Sequence, residues 1–110
     1  MPENRLTISH AESLLAQEPV HRFTTLFRHG SLEVEYYKPD KVDSQTPHTR
    51  DEIYVVASGS GDFVCGDTAQ PFEQGEVLFA AAGVEHRFIN FTEDFATWVF
   101  FYGPEGGESN

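Results

Sequence analysis

Cysteine is nearly absent from this sequence: Cys65 stands alone among 110 residues. A single thiol forms no intrachain disulfide, so the stapled frameworks of small secreted domains are excluded. Within a strand-like apolar run, Cys65 reads as a small buried apolar group. Basic residues are scarce as well, 7 against 18 acidic ones, for a formal net charge of −11. Nucleic acids and anionic membrane surfaces are recognised through a basic footprint, so neither is an expected partner. No stretch approaches the roughly 20 apolar residues that span a bilayer. The polar residues from Met1 to Arg5 lead into no signal-type apolar segment, and the expected location is cytoplasmic.

Helical periodicity is confined to the first twenty residues. Ser9 followed by Glu12 has the form of a capping box and leads into Ala11, Leu14, Leu15 and Ala16, predicting one short helix from Ile8 to Gln17 that Pro19 ends. From His21 onward short strand-like runs follow one another. Arg22 to Arg28 alternates through Phe23, Thr25 and Phe27, and Leu32 to Tyr37 through Leu32, Val34 and Tyr36. Glu52 to Ala57 is a β-branched run; Ser58 to Gly61 reads as a tight turn and Asp62 to Cys65 as its hairpin partner. Val77 to Ala80, His86 to Asn90 and Ala96 to Tyr102 complete the pattern, with glycine corners between them. Ten phenylalanines, four tyrosines and one tryptophan supply large rings for the interior. The prediction is a single all-β domain, an antiparallel sandwich or barrel of about eight strands. Residues 1–21 form a helical or extended segment packed on it, 22–103 the β body and 104–110 a flexible tail.

Two clusters carry chemistry. One contains His48 and Glu52, the other His86, and each flanks an apolar run. Two imidazoles and a carboxylate suit an iron, manganese, nickel or zinc ion with open coordination positions. Four residues of straight strand span about 13 Å, too far for two ligands of one ion. The chain must therefore bend at Thr49, Arg50 or Asp51. Asp51 competes with Glu52, but neighbouring strand residues face opposite ways. Arg50 shares parity with His48 and is either a carboxylate-holding group or an exposed surface residue. Tyr54 shares parity with Glu52 and either lines a pocket or packs in the core. These two are the candidate catalytic or substrate-contacting residues. Arg87 should point away from the ligand face, and His10, His21 and His29 read as surface residues.

The spacing Thr46-x-His48-x3-Glu52-x6-Gly59, followed by Gly75-x5-Ala81-x-Gly83-x2-His86-x3-Asn90, resembles the paired motifs of the cupin family. Those motifs run Gly-x5-His-x-His-x(3,4)-Glu-x6-Gly and Gly-x5-Pro-x-Gly-x2-His-x3-Asn. Three positions depart: Asp40 lies where the first motif starts with glycine, Thr46 replaces its first histidine, and Ala81 replaces the proline. The resemblance implies a jelly-roll β-barrel, a double-stranded β-helix, holding a divalent metal on His48, Glu52 and His86. It gives Gly59 and Gly83 corner roles and Asn90 a strand-end role. With threonine at 46, a coordination position is left for water or substrate.

Two functions from different classes follow. One is a metal-dependent enzyme, oxygenase- or isomerase-type, acting on a small organic substrate in the barrel mouth. The other is a non-catalytic small-molecule binding or sensing module, with or without a metal. A barrel this small has strand edges to cover, so a homodimer is expected.

Overall fold

A computed structural model of the chain describes residues 4–109. The ends of the expected N-terminal segment and of the tail, residues 1–3 and 110, lie outside them. One helix, α1 (Ile8–Ala16), precedes eight strands: β1 (Phe23–His29), β2 (Leu32–Tyr37), β3 (Asp51–Ser58), β4 (Ser60–Cys65), β5 (Thr68–Glu73), β6 (Val77–Ala80), β7 (His86–Ile89) and β8 (Ala96–Tyr102). They form two antiparallel sheets, one ordered β1-β2-β8-β3-β6 and the other β5-β4-β7. This is the expected all-β jelly roll with one short helix. Among the described residues no helix is long and apolar enough to cross a membrane.

The helix starts at Ile8 as expected, but its cap lies two residues before Ser9. Thr7, in extended backbone, accepts the His10 N–H through its hydroxyl and caps the helix. Ser9 therefore lies inside the helix, and Glu12 is free to turn toward the sheet. There it accepts the Tyr36 hydroxyl and lies 3.8 Å from the Lys38 ammonium. Ala11 and Leu15 bury against Tyr36 and Ala96, with Leu26 and Trp98 beside them. That contact covers the outer face of the large sheet.

Cross-strand register fixes which side chains face the other sheet. Glu33, Phe101, Glu52 and Ala80 form one row across β2, β8, β3 and β6; Glu35, Val99, Tyr54 and Leu78 form the next. These rows look inward, and Tyr54, Val56, Val99 and Phe101 meet Phe63, Phe72 and Phe88 of the small sheet. Phe95, from the turn before β8, closes the cluster with ring centroids 4.8 Å from Phe88 and 4.9 Å from Phe72. A bulge between Thr25 and Phe27 breaks the alternation expected along β1 and lets Leu26 turn to the helix.

Two other expectations change. β4 does not pair with β3; it pairs with β5 and β7, so the chain crosses between sheets at Gly59. β5 was not predicted, because Pro71 interrupts its pattern. On a sheet edge a missing N–H is tolerated, and β5 is an edge strand.

Gly59 has φ +82°, and a Cβ there would lie 2.6 Å from the Phe95 Cα. Gly75 has φ +88° with open space around it. Gly75→Ala should therefore cost only the left-handed strain, about 1–2 kcal/mol. Gly59→Ala adds a backbone clash and should cost roughly 3–4 kcal/mol, strain and overpacking together. Urea denaturation of both variants checks this; equal losses would contradict the close approach.

Candidate metal centre

His48, Glu52 and His86 converge from three parts of the fold. Glu52 is the second residue of β3 and points inward. His48 precedes β3, and the backbone bends at Thr49 and Arg50, as the spacing required. Its carbonyl accepts the Gly83 N–H at 2.7 Å, which joins this segment to the corner that leads into β7. His86 opens β7 in the opposite sheet. His48 Nδ1 lies 3.0 Å and His86 Nε2 2.6 Å from Glu52 Oε1. One potential ligand atom from each residue falls within 4.8 Å of the others.

The hydrogen bonds around the trio prepare it for a cation. His86 Nδ1 donates to the Val84 carbonyl at 2.8 Å, which leaves a lone pair on Nε2 directed at the carboxylate. His86 Nε2 and Glu52 Oε2 are buried and lack a hydrogen-bond partner; the 2.6 Å approach of Nε2 to Oε1 is not aligned as one. Lone pairs facing each other in a dry site require positive charge between them. Both titrating groups show this pull. Burial raises the Glu52 pKa, yet the two imidazoles outweigh it and hold the carboxyl below its ordinary value. Burial lowers the His86 pKa, yet Glu52, the Val84 carbonyl and Asp43 outweigh it and raise it. The residues present fit a divalent metal.

A cavity of about 440 Å³ opens beside the trio, with His48 and Glu52 in its wall. Val99 and Phe101 form its apolar side, and the exposed Ser44, Thr46 and Thr49 lie at its rim. Thr46 lies at the position where the cupin motif has its first histidine. An open coordination position would thus face the cavity.

The remaining candidates separate. Asp51 is turned away from the trio and accepts the N–H groups of Ala82 and Glu108, which hold its carboxyl below the usual range. The Glu108 bond, and a Gly106 N–H to the Thr49 carbonyl, join the tail to the barrel. Tyr54 is fully buried and belongs to the core: its hydroxyl donates to Gln45 at 3.3 Å, and its ring packs on Phe63 and Phe88. Arg50 is not an exposed surface residue. It lines the cavity, donates to the Ser31 carbonyl, lies 3.2 Å from Glu33 and rests on Phe101. Arg87 and the other three histidines are exposed, as expected.

Three acidic residues matter here that sequence reasoning missed. Buried Asp43 accepts the Tyr37 hydroxyl, both Gln45 donors and the Phe88 N–H at 2.5–3.1 Å. It ties the loop at the cavity rim to β2 and to β7, two residues from His86. Glu33 and Glu35 line the cavity from β2. Their alternation with Leu32, Val34 and Tyr36 was the available signal. It marked the apolar face as the core side, whereas that face lies under the helix.

Comparison with known proteins agrees with this architecture. The family model described as "Cupin domain" matches residues 33–102. An uncharacterised protein of Streptomyces coelicolor is 34% identical over 85 residues, covering 76% of this chain and 81% of that one. Among solved structures, a cupin 2 conserved barrel domain protein from Salinispora arenicola superposes with a TM-score of 0.63 at 20% identity, covering 74% of each chain. A cupin-2 domain containing protein from Shewanella frigidimarina gives 0.62 at 15% identity, over 84% of this chain and 91% of that one.

Glu35 generates a pH-dependent prediction. Burial, and next the Glu33 carboxylate, raise its pKa from 4.5 to about 7. Between those values the folded chain binds a proton that the unfolded chain releases, so this group's contribution makes stability fall as pH rises from 4.5 through 7. Glu35→Gln removes the titrating group. After discounting for partial exposure, the variant should gain about 1–2 kcal/mol on wild type at pH 8 and nothing at pH 4. Urea titrations at the two pH values measure the difference; parallel shifts at both would refute the assignment.

Proposed function

This chain belongs to the cupin family, and we propose that it is a metal-dependent enzyme of oxygenase or isomerase type acting on a small organic molecule. The observation that carries this reading is the trio of half-buried His48 with buried Glu52 and His86, two of its atoms unpartnered, where His48 and Glu52 line a cavity large enough for such a molecule. A bound iron, manganese, nickel or zinc ion would supply Lewis-acid chemistry, or redox chemistry in the case of iron. His86 is oriented by the Val84 carbonyl, and Glu52 is fixed by its place in β3. Phe101 packs against the His48 ring at 4.9 Å and limits water on that side. Arg50, held by Glu33, shapes the cavity wall beside the site. The working location is the cytoplasm, and the partner is a small molecule rather than a nucleic acid or a membrane.

The test is elemental analysis of protein purified without added metal. About one equivalent of a transition metal is expected in wild type, and His86→Ala should lower it more than tenfold. Less than a tenth of an equivalent in wild type would replace this reading with a metal-free binding module.

A homodimer is proposed through the β6 edge of the large sheet. Val77 and Phe79 are 65% and 51% exposed there, on the outer face shared with Ile53 and Val55. An unpaired edge carrying apolar side chains is a template for a second strand. Light scattering after size exclusion should give twice the chain mass, and Val77→Lys with Phe79→Glu should return the monomer. A monomeric wild type would sink the dimer.

A further inference from the structure

The inward face of β2 carries three successive cavity residues, Glu33, Glu35 and Tyr37. They differ in how their polar groups are satisfied. The Tyr37 hydroxyl is engaged by Asp43. Glu33 lies 3.2 Å from both Arg28 and Arg50. Arg50, the one guanidinium in the cavity wall, has its charge paired with Glu33 and a second donor on the Ser31 carbonyl. Glu35 receives only the Thr25 hydroxyl, at 3.5 Å, and among the described residues no cation pairs with it.

The surroundings of Glu35 suit a small cation. Phe23 and Tyr37 form the neighbouring row on the same face, and both line the cavity. A carboxylate beside aromatic rings is a favourable seat for an ammonium group. On its other side lies the row Glu33–Phe101–Glu52, which ends at the metal trio. Two strand spacings and one step of two residues separate the backbones of Glu35 and Glu52, about 12 Å, and both side chains point into the space between. Buried Glu52, with its unpartnered Oε2, faces the same cavity. A ligand of roughly six heavy atoms can touch both ends.

We propose that the cavity takes a small amine-bearing molecule, its ammonium received by Glu35 and its opposite, oxygen-donor end directed at the metal trio. The second half rests on the metal-centre reading above; the first half stands on Glu35 and its neighbours alone. Simple anions are disfavoured, because Glu35 meets them uncompensated and the Arg50 charge is already paired with Glu33. Burial and the nearby Glu33 carboxylate, which make Glu35 reluctant to ionise, accord with a missing positive partner.

The experiment compares two probes of equal size, 3-aminopropanoate and butanoate, in which a methyl group replaces the ammonium. Binding to wild type and Glu35→Gln is followed at pH 8 by amide chemical shifts, in metal-loaded and metal-free protein. Wild type should favour the amine by about tenfold, the worth of one charge-assisted contact, and Glu35→Gln should abolish the preference. Glutamine keeps the volume of the side chain, and the wild-type preference is a readout that needs no variant. Equal affinities in both states, a preference for butanoate, a preference that survives Glu35→Gln, or binding of neither probe overturns the proposal. Metal content of the same samples separates the two readings. Loaded protein without amine preference defeats only this inference. Amine preference in protein that takes up no metal supports the Glu35 half and defeats the metal centre together with the half that rests on it.

Discussion

A carboxylate with 1% of its side chain exposed sits at the centre of this fold. Left alone in a dry interior, Glu52 would cost several kcal/mol or take up a proton. Two imidazoles from opposite sides of the barrel, once protonated, offset that, and they bring Glu52 below its ordinary pKa despite burial. The compensation works only while both sheets are in place. β3 and the bend before it supply Glu52 and His48; β7, in the other sheet, supplies His86. The aromatic cluster of Phe63, Phe72, Phe88 and Phe95 sets the separation of the sheets, and hence the distance across which the three groups meet. Core packing and site geometry are one constraint here.

Asp43 extends that constraint to the cavity rim. It is a second buried carboxylate, satisfied by hydrogen bonds rather than by charge. Four donors fix a loop that has no regular structure of its own, and one of them belongs to β7. The rim residues Ser44 and Thr46 therefore lie on a segment anchored to the strand that carries His86. In a chain of net charge −11, acids withdrawn wholly or partly from water take partners of three kinds. Glu52 has imidazoles, Asp43 has neutral donors, and Glu33 has guanidinium groups. Glu35 is the cavity carboxyl without such a set.

Much of this was legible in the sequence, and the misses share a cause. Motif spacing located His48, Glu52 and His86, because a metal-ligand pattern constrains residue type and interval together. Seven of the eight strands showed in alternation or in apolar runs; β5 did not, because edge strands tolerate a proline that periodicity treats as a break. The β3–β4 connection looked like a hairpin turn because glycine serves equally at a hairpin and at a crossing between sheets. Only the contact of Gly59 with Phe95, 36 residues away in sequence, distinguishes them. The cap moved from Ser9 to Thr7 because Glu12 had a stronger claim at Tyr36. These are long-range choices, and local pattern carries no record of them.

The same reasoning explains why Glu33 and Glu35 escaped notice. A strand with one apolar and one polar face is ordinarily read as core on one side and solvent on the other. β2 is covered on both sides: Tyr36 lies beneath the helix, and the polar face closes a cavity. Polar residues kept out of bulk water without full pairing break the local rule, and such breaks concentrate where a protein meets its ligand. Thr46 belongs to the same logic. It stands on the cavity side of the candidate metal trio, where the cupin motif has a histidine, while Nε2 of His86 and Oε2 of Glu52 stay buried without a hydrogen-bond partner. A site that had decayed into ordinary core would pair those atoms with donors. Here they remain unpartnered, and among the described residues no cation pairs with the neighbouring cavity carboxyl of Glu35.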